Sequence, residues 1–414
     1  MKLISRYINA EQLQSTSLLL VVLTMCLPIP INNVCIILAL LLQVIHWRFN
    51  TFLQQAKHNK VNILFVCFFL ICLFSAWHSN QQDQAAIEIE KRLLFIIFPV
   101  IITGVNKIYD VKRIERTFAV ATTIAILYCI IIAVINYSAT HQTDVFFYHK
   151  FSNAIHFNAI YLSMYAVFGV FICLVHYRNS APLSKKILAF CCIILFIGVI
   201  LLNSKNMLFV LLAGMLWITV QFLAIPKKWL FVLPIILIVL SLINPVRQRF
   251  VTELKSDFSV VKQDSFRYDT PFSGATLRLV LWKNSLLIIE EQNAWITGIG
   301  LGDFQSSLNQ LYQQTGMYTG NPKLGDTGYL GYNPHNFWVE VFLFSGLVGL
   351  LICTLIVVFL AYQCIRTRLY LGILLIFIFL SLSVTECLLS TNKGIVFFTF
   401  FFSLYSSFKI IKSQ

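Results

Sequence analysis

The sequence predicts an all-α polytopic membrane protein of about twelve transmembrane helices carrying one large, partly helical external loop. Three observations carry this. First, 58% of the 414 residues are hydrophobic and only 12% are charged, with a mean hydropathy of +0.79; soluble domains carry about 25% charged residues. Second, the apolar residues fall in runs long enough to cross a ~30 Å hydrocarbon layer as helix. Helix is the form such runs must take, because lipid offers no partners to backbone amides. Third, one long segment, 244–335, breaks the apolar pattern and holds nine of the seventeen glycines.

Taken in order, the expected spans are 14–30, 33–47, 61–77, 92–106, 117–137, 158–177, 186–202, 206–225, 229–243, 336–362, 368–385 and 393–410. These divide the chain into helices one to nine (1–243), a cap (244–335) and helices ten to twelve (336–414). Lys2 and Arg6 precede the first run without a small-residue cleavage site, so that run is expected to stay as an anchor. With both termini placed in the cytoplasm, the inner segments hold eighteen Lys and Arg. The short outer loops hold five: Lys91, Arg92, Lys150, Lys205 and Lys393. That asymmetry sets the orientation. The net charge of +14 is then mostly an inner-face signal and contact with anionic membrane lipid, and calls for no nucleic acid. The eleven cysteines all lie in or beside apolar runs and none in the long loop, so they read as small hydrophobes. No Cys/His spacing suggests zinc.

A structureless loop as long as 244–335 is improbable. Within it, 276–291 (TLRLVLWKNSLLIIEE) has apolar residues at roughly helical spacing and reads as an amphipathic helix on or near the membrane surface. TGIGLGDF (297–304) reads as a tight glycine turn, followed by a short helix with Asp303 as its cap. A second external loop, 138–157, is aromatic and carries His141, His149 and His156.

Charges within or beside spans mark function by default, and here they are few. Lys205 lies at the mouth of the eighth span, Glu340 about one turn below His335 in the tenth, and Glu386 at the end of the eleventh. All fall on the outer side. His335 follows Pro334, which suits a helix start. The helix N-terminus there is expected to present open N–H groups to an anion such as pyrophosphate. By position, His335 reads either as a belt histidine beside Trp338 or as a general base, since imidazole changes charge in the physiological range. Arg267 and Arg278 read as surface arginines or as phosphate-binding forks. Lys205 reads as a side chain snorkelling to the interface or as a phosphate cation. No nucleotide-binding Gly-x4-Gly-Lys-Ser/Thr loop, Gly-x-Ser-x-Gly elbow or clustered Asp pair occurs. A bound phosphate would be held by cations and a helix end.

The order of these elements resembles a family. Ser204-Lys205 opens a span. In the long loop come Arg278 to Trp282 (Arg-x3-Trp), then Gly298, Gly300, Gly302 and Phe304 (Gly-x-Gly-x-Gly-x-Phe). His335-Asn336 follow, with Gly346 eleven residues after the histidine. Together they resemble the O-antigen ligase and polymerase superfamily of membrane glycosyltransferases, with GT-C-like helical bundles and a periplasmic loop over the active site. The resemblance implies a glycan donor on undecaprenyl pyrophosphate and, for a ligase, transfer of the whole glycan to a sugar hydroxyl of lipid A-core. It implies a bacterial inner-membrane protein with cytoplasmic termini and a periplasmic site, working without cofactor or metal. His335 falls on the family's essential loop histidine and Arg278 on its loop arginine. Lys205 stands where the family usually has arginine, keeping the charge and losing the fork; Val339 stands where leucine is common.

His335 and Arg278 are thus the expected catalytic residues. Lys205, Arg278, Asn336 and Arg267 are expected to bind donor pyrophosphate, with His156 and Glu340 as secondary candidates. A polymerase extending the glycan on its carrier is the near alternative. No arginine here has glycine eleven residues on, and one external loop dominates, both of which favour a ligase. A protein O-oligosaccharyltransferase and a twelve-helix transporter stand further off. The transporter would show internal repeats, broken helices or midplane charges, none of which the sequence displays.

Overall fold

The computed structural model describes residues 10–45, 57, 59–103, 110–223, 256–321, 323 and 325–412. The expected ninth span (229–243), residues 244–255 of the cap and the inner ends of the expected second and fourth spans lie outside the described residues. Among the described residues the fold is all helical, with a single isolated bridge between Asn321 and Asp326. Among these residues five helices are long and apolar enough to cross a membrane: α3 (Lys60–Trp77), α6 (Val111–Thr140), α7 (Ala159–Tyr177), α8 (Pro182–Leu202) and α12 (Phe337–Arg366). Further helices complete the bundle. These are α1 (Ala10–Leu23), α2 (Ile29–Ile45), α4 (Gln82–Arg92), α5 (Leu94–Thr103), α9 (Lys205–Ile218), α13 (Tyr370–Ser383) and α14 (Asn392–Lys412). Two more, α10 (Gly274–Glu291) and α11 (Phe304–Gln314), form the cap.

Local chemistry explains most boundaries. Asn59, Asp110 and Asn158 each accept from the backbone N–H two or three residues on, capping α3, α6 and α7. Pro182 sits in the first turn of α8, where its missing N–H leaves nothing unpaired. Asn203, with φ of 47°, ends α8 in a left-handed residue, and α9 restarts two residues later. The break between the first two helices falls at 24–28, ahead of Pro28, slightly earlier than the sequence suggests. The expected fourth span begins at Leu94, and the polar stretch before it is itself a helix, α4.

Helix α7 is largely buried, packed against α6, α8, α9 and α13. Its Tyr165 and Phe168 meet Phe118, Phe397 and Phe401 in a tilted and edge-on aromatic cluster. With apolar solvent outside, such a bundle is held by shape and by polar contacts between helices. Asn62 donates to Thr103 at 2.9 Å, Asn59 to Ser406 and Ser407, and Gln363 to the carbonyls of Tyr405 and Ser406. The eleven cysteines are all free thiols.

The expected unbroken tenth span is a correction. Helix α12 is interrupted at Gly346, whose φ of 62° and ψ of −160° belong to a region essentially reserved for glycine. The glycine turn of the cap enters this break. Ile299 N–H donates to Leu343 O (2.9 Å), Leu347 N–H to Trp295 O (2.9 Å) and Val348 N–H to Ile296 O (3.3 Å). In a continuous helix Leu347 N–H would have bonded Leu343 O. The cap segment takes over both groups, which keeps them paired across the break. A Cβ on Gly298 would lie 2.3 Å from the Phe344 carbonyl carbon, and one on Gly346 would lie 2.3 Å from that of Ile296. The two glycines allow backbone to pack on backbone.

Candidate functional site

Helix α10 begins with a capping box, Ser273 with Thr276. It buries Val280, Leu281, Ile288 and Ile289 together with Thr276, Asn284 and Ser285 against α11 and α12. The helix expected on or near the membrane surface packs against its cap partner α11 and the bundle helix α12. Positions four apart share one helix face, which gives the Arg-x3-Trp pair its physical meaning. Arg278 Nε donates to Thr385 O at 3.2 Å and its Nη1 to Gly274 O at 3.1 Å. One turn on, Trp282 Nε1 donates to Pro334 O at 2.9 Å. The face bridges the end of α13 and the segment that carries His335.

Asp303 occupies the position before α11, yet its side chain makes no bond to that helix. It accepts instead from the backbone N–H groups of Asn80 (2.7 Å) and Gln81 (2.8 Å) at the start of α4. The expected cap of one helix instead holds the turn that leads into another. With Leu301 N–H on Ser75 O and Gly302 N–H on Ser79 Oγ, it fastens the glycine turn to α3 and α4.

Helix α12 starts at Phe337, two residues later than His335. Asn336 is its cap: Oδ1 accepts from Trp338 N–H (2.9 Å) and Val339 N–H (3.1 Å), and Nδ2 donates to Val384 O. The helix end that the sequence leaves open to an anion has these donors taken by Asn336 itself, which is 6% exposed. His335 is held just outside, with a left-handed φ of 47°. Its N–H donates to Asn333 Oδ1, and the edge of Tyr332 lies against its ring at 5.8 Å.

Glu386 is the meeting point. It follows α13 and is 7% exposed. Its Oε1 lies 3.6 Å from Arg278 Nη2 and its Oε2 lies 3.8 Å from His335 Nδ1. Lys205 comes to the same place through its neighbour Asn206, whose amide donates to Ser381 O (2.7 Å) and Thr385 Oγ1 (2.8 Å) and accepts from Ser381 Oγ. Lys205, Arg278, Thr385 and Glu386 line one cavity of about 450 Å³, closed on another side by Tyr148 and Ile160. The structure thus brings Arg278 and His335 to one carboxylate, with Lys205 on the cavity that Arg278 and this carboxylate line.

The other expected residues lie elsewhere. Arg267 is 83% exposed in its side chain, 3.4 Å from Asp269, and lines a separate polar cavity. His156 is an exposed left-handed residue ending a short 3-10 turn. Glu340 is completely buried and accepts from Ser390 Oγ, which accepts in turn from Asn333. Glu340 therefore backs the His335 loop from below. Arg92, an outer-loop anchor in the sequence reading, is also completely buried; it pairs with Glu88 at 2.6 Å and lies 5.0 Å over the Phe344 ring. Among the described residues no three His, Cys, Asp or Glu side chains cluster as metal ligands.

Residues 190–354 match the family model described as O-antigen ligase. Over that stretch the chain is similar to the O-antigen ligase family. That stretch takes in Lys205, Arg278, Trp282, the glycine turn, His335 and Gly346. No curated protein matches the chain. Glu386 lies beyond the matched stretch. In the sequence it is a lone charge at a span end, 51 residues from His335, and only the return of α13 beside α12 brings the two together.

Proposed function

We propose that this protein is a metal-independent glycosyltransferase that moves a glycan en bloc from undecaprenyl pyrophosphate to a sugar hydroxyl of lipid A-core. The observation that carries the reading is the shared cavity edge where Lys205 and Arg278 stand beside a carboxylate next to His335. Transfer needs a base at the acceptor hydroxyl and positive charge on the departing pyrophosphate. His335 takes the acceptor proton, and the acceptor oxygen bonds the anomeric carbon. The bond from that carbon to the phosphate oxygen breaks, its electron pair leaving with undecaprenyl pyrophosphate. Lys205 and Arg278 hold that anion. A lipid-anchored donor accounts for a cavity where helix ends meet the cap. The ordering is that of a periplasmic site in a bacterial inner membrane.

The test is lipopolysaccharide analysis in a deletion strain, complemented with wild type or His335→Ala. Core without long chains, with full-length glycan accumulating on carrier lipid, is the expected result. Core bearing a single repeat unit identifies a polymerase instead, and unchanged lipopolysaccharide removes lipid A-core as the acceptor.

A further inference from the structure

We infer that Glu386 is a positioning residue: it orients His335 with the proton on Nδ1 and leaves Nε2 as the basic nitrogen. The inference rests on the transferase reading for its catalytic consequence, though not for its geometry. Three observations carry it. His335 Nδ1 is buried without a hydrogen-bond partner, and the carboxylate oxygen 3.8 Å away is Glu386 Oε2. A buried polar atom without a partner is costly, and an ionised carboxylate can only accept, so pairing the two places the proton on Nδ1.

Glu386 is itself fixed. Its N–H bonds Leu382 O at 2.8 Å, and Arg278, on its other oxygen, is held by Thr385 O and Gly274 O. The His335 backbone is likewise locked by Asn333 and the left-handed φ. Two rigid segments thus aim a carboxylate at one nitrogen of one imidazole. A gap of this size closes with a small side-chain rotation, and catalytic hydrogen bonds are often long until substrate binds.

The chemical consequence follows. A histidine whose Nδ1–H is held by a carboxylate can accept a proton only at Nε2, and the carboxylate stabilises the imidazolium that forms. In the transfer step the acceptor hydroxyl proton moves to Nε2, the new bond forms from the acceptor oxygen, and Glu386 stays ionised throughout. Glu386 has a second effect. Its other oxygen neutralises part of the charge on Arg278, so removing the carboxylate strengthens the hold of Arg278 on donor pyrophosphate while disorienting the base. Loss of turnover and unimpaired donor binding are therefore expected from one substitution, a pattern that a merely structural residue does not give.

The experiment uses the full-length protein in proteoliposomes, with undecaprenyl-pyrophosphate glycan as donor and lipid A-core as acceptor. Wild type, Glu386→Gln and Glu386→Asp are compared. Glu386→Gln is expected to lower kcat by about a hundredfold or more with donor KM unchanged or lower, and Glu386→Asp to recover at least a tenth of the rate. A kcat within threefold of wild type, or a raised KM at normal kcat, overturns the proposal. In parallel, nitrogen NMR of histidine-labelled protein at alkaline pH reads the His335 tautomer, assigned by the signal lost in His335→Gln. Wild type is expected to carry Nδ1–H, and Glu386→Gln to lose that preference. An Nε2–H wild-type ring overturns the proposal even if the glutamine variant fails to accumulate. Should wild type transfer no glycan, the functional reading falls and the tautomer alone decides. Nδ1–H in wild type, lost in Glu386→Gln, then upholds the orienting role, and the same tautomer in both overturns it.

Discussion

Among the described residues, two Glu–His pairs near opposite ends of α7 differ in a telling way. At one end Glu115 accepts from Tyr405 at 2.8 Å and meets His176 Nε2 at 2.6 Å, so both carboxylate oxygens are taken at hydrogen-bond distance. At the other, sixteen residues or ~24 Å of helix away, Ile160 borders the cavity of Glu386, whose oxygens stand 3.6 and 3.8 Å from Arg278 and His335. The same chemistry serves two ends. A closed pair tethers α6, α7 and α14 together, because no partner is left to bind anything else. An open pair beside a cavity holds charge in reserve for a ligand. Burial of a charged residue does not by itself indicate function; the unmet bonding capacity beside a space does.

His335→Ala breaks the comparison most severely. The reading requires a fall in glycan transfer of ~10²–10⁴-fold, the usual worth of a general base, with unchanged insertion and thermal unfolding. Transfer at close to the wild-type rate removes His335 from the chemistry.

Glu115→Ala tests the other end. Removing one partner of a buried pair costs ~3–5 kcal/mol. A clearly lower thermal midpoint is therefore expected, with normal turnover per folded molecule. A variant of unchanged stability but impaired turnover reverses the roles assigned to the two pairs.

The link between cap and bundle is tested by Gly346→Ala. The alanine adopts a glycine-only conformation at a cost of ~1–3 kcal/mol, and its Cβ meets the Ile296 backbone at 2.3 Å. Loosening of the cap should appear as faster hydrogen exchange at Ile299 and Leu347, whose N–H groups bridge the break. Unaltered exchange there means that the glycine turn is held by other contacts.

Much of the site was legible in the sequence because its residues lie at motif spacings set by local geometry. Arg278 and Trp282 share a helix face, and Gly298 and Gly346 sit where backbone meets backbone. What was not legible is long-range. Asp303 stands where a cap belongs, and only the folded chain shows its carboxylate on α4. Asn336 beside a helix start suggests a site for anions, yet its amide satisfies that helix end. Arg92 counts as a loop charge until burial against Glu88 and Phe344 is seen. Glu386 has no spacing that ties it to His335, because the hairpin of α12 and α13 sets their distance. Helix periodicity reports the face of one element, whereas these contacts depend on how elements return.

Lys205 offers the finest probe of the open end, because it differs from the arginine that the resemblance leads one to expect by chemistry and not by charge. Its place beside Glu386 follows from Asn206, which the exchange of Lys205 leaves intact. Lys205→Arg restores the fork, and it should transfer glycan at about the wild-type rate or bind donor more tightly, since a bidentate contact adds specificity to the same charge. Lys205→Ala removes a charge-assisted contact worth ~1.5–3 kcal/mol, so transfer should fall on the order of tenfold to a hundredfold, chiefly through donor KM. Because α13 stays tied to α9 through Asn206, thermal stability should hold in both. If Lys205→Ala matches wild type in KM, the pyrophosphate is held by Arg278 alone, and the cavity's cationic side reduces to the residue that Glu386 already restrains.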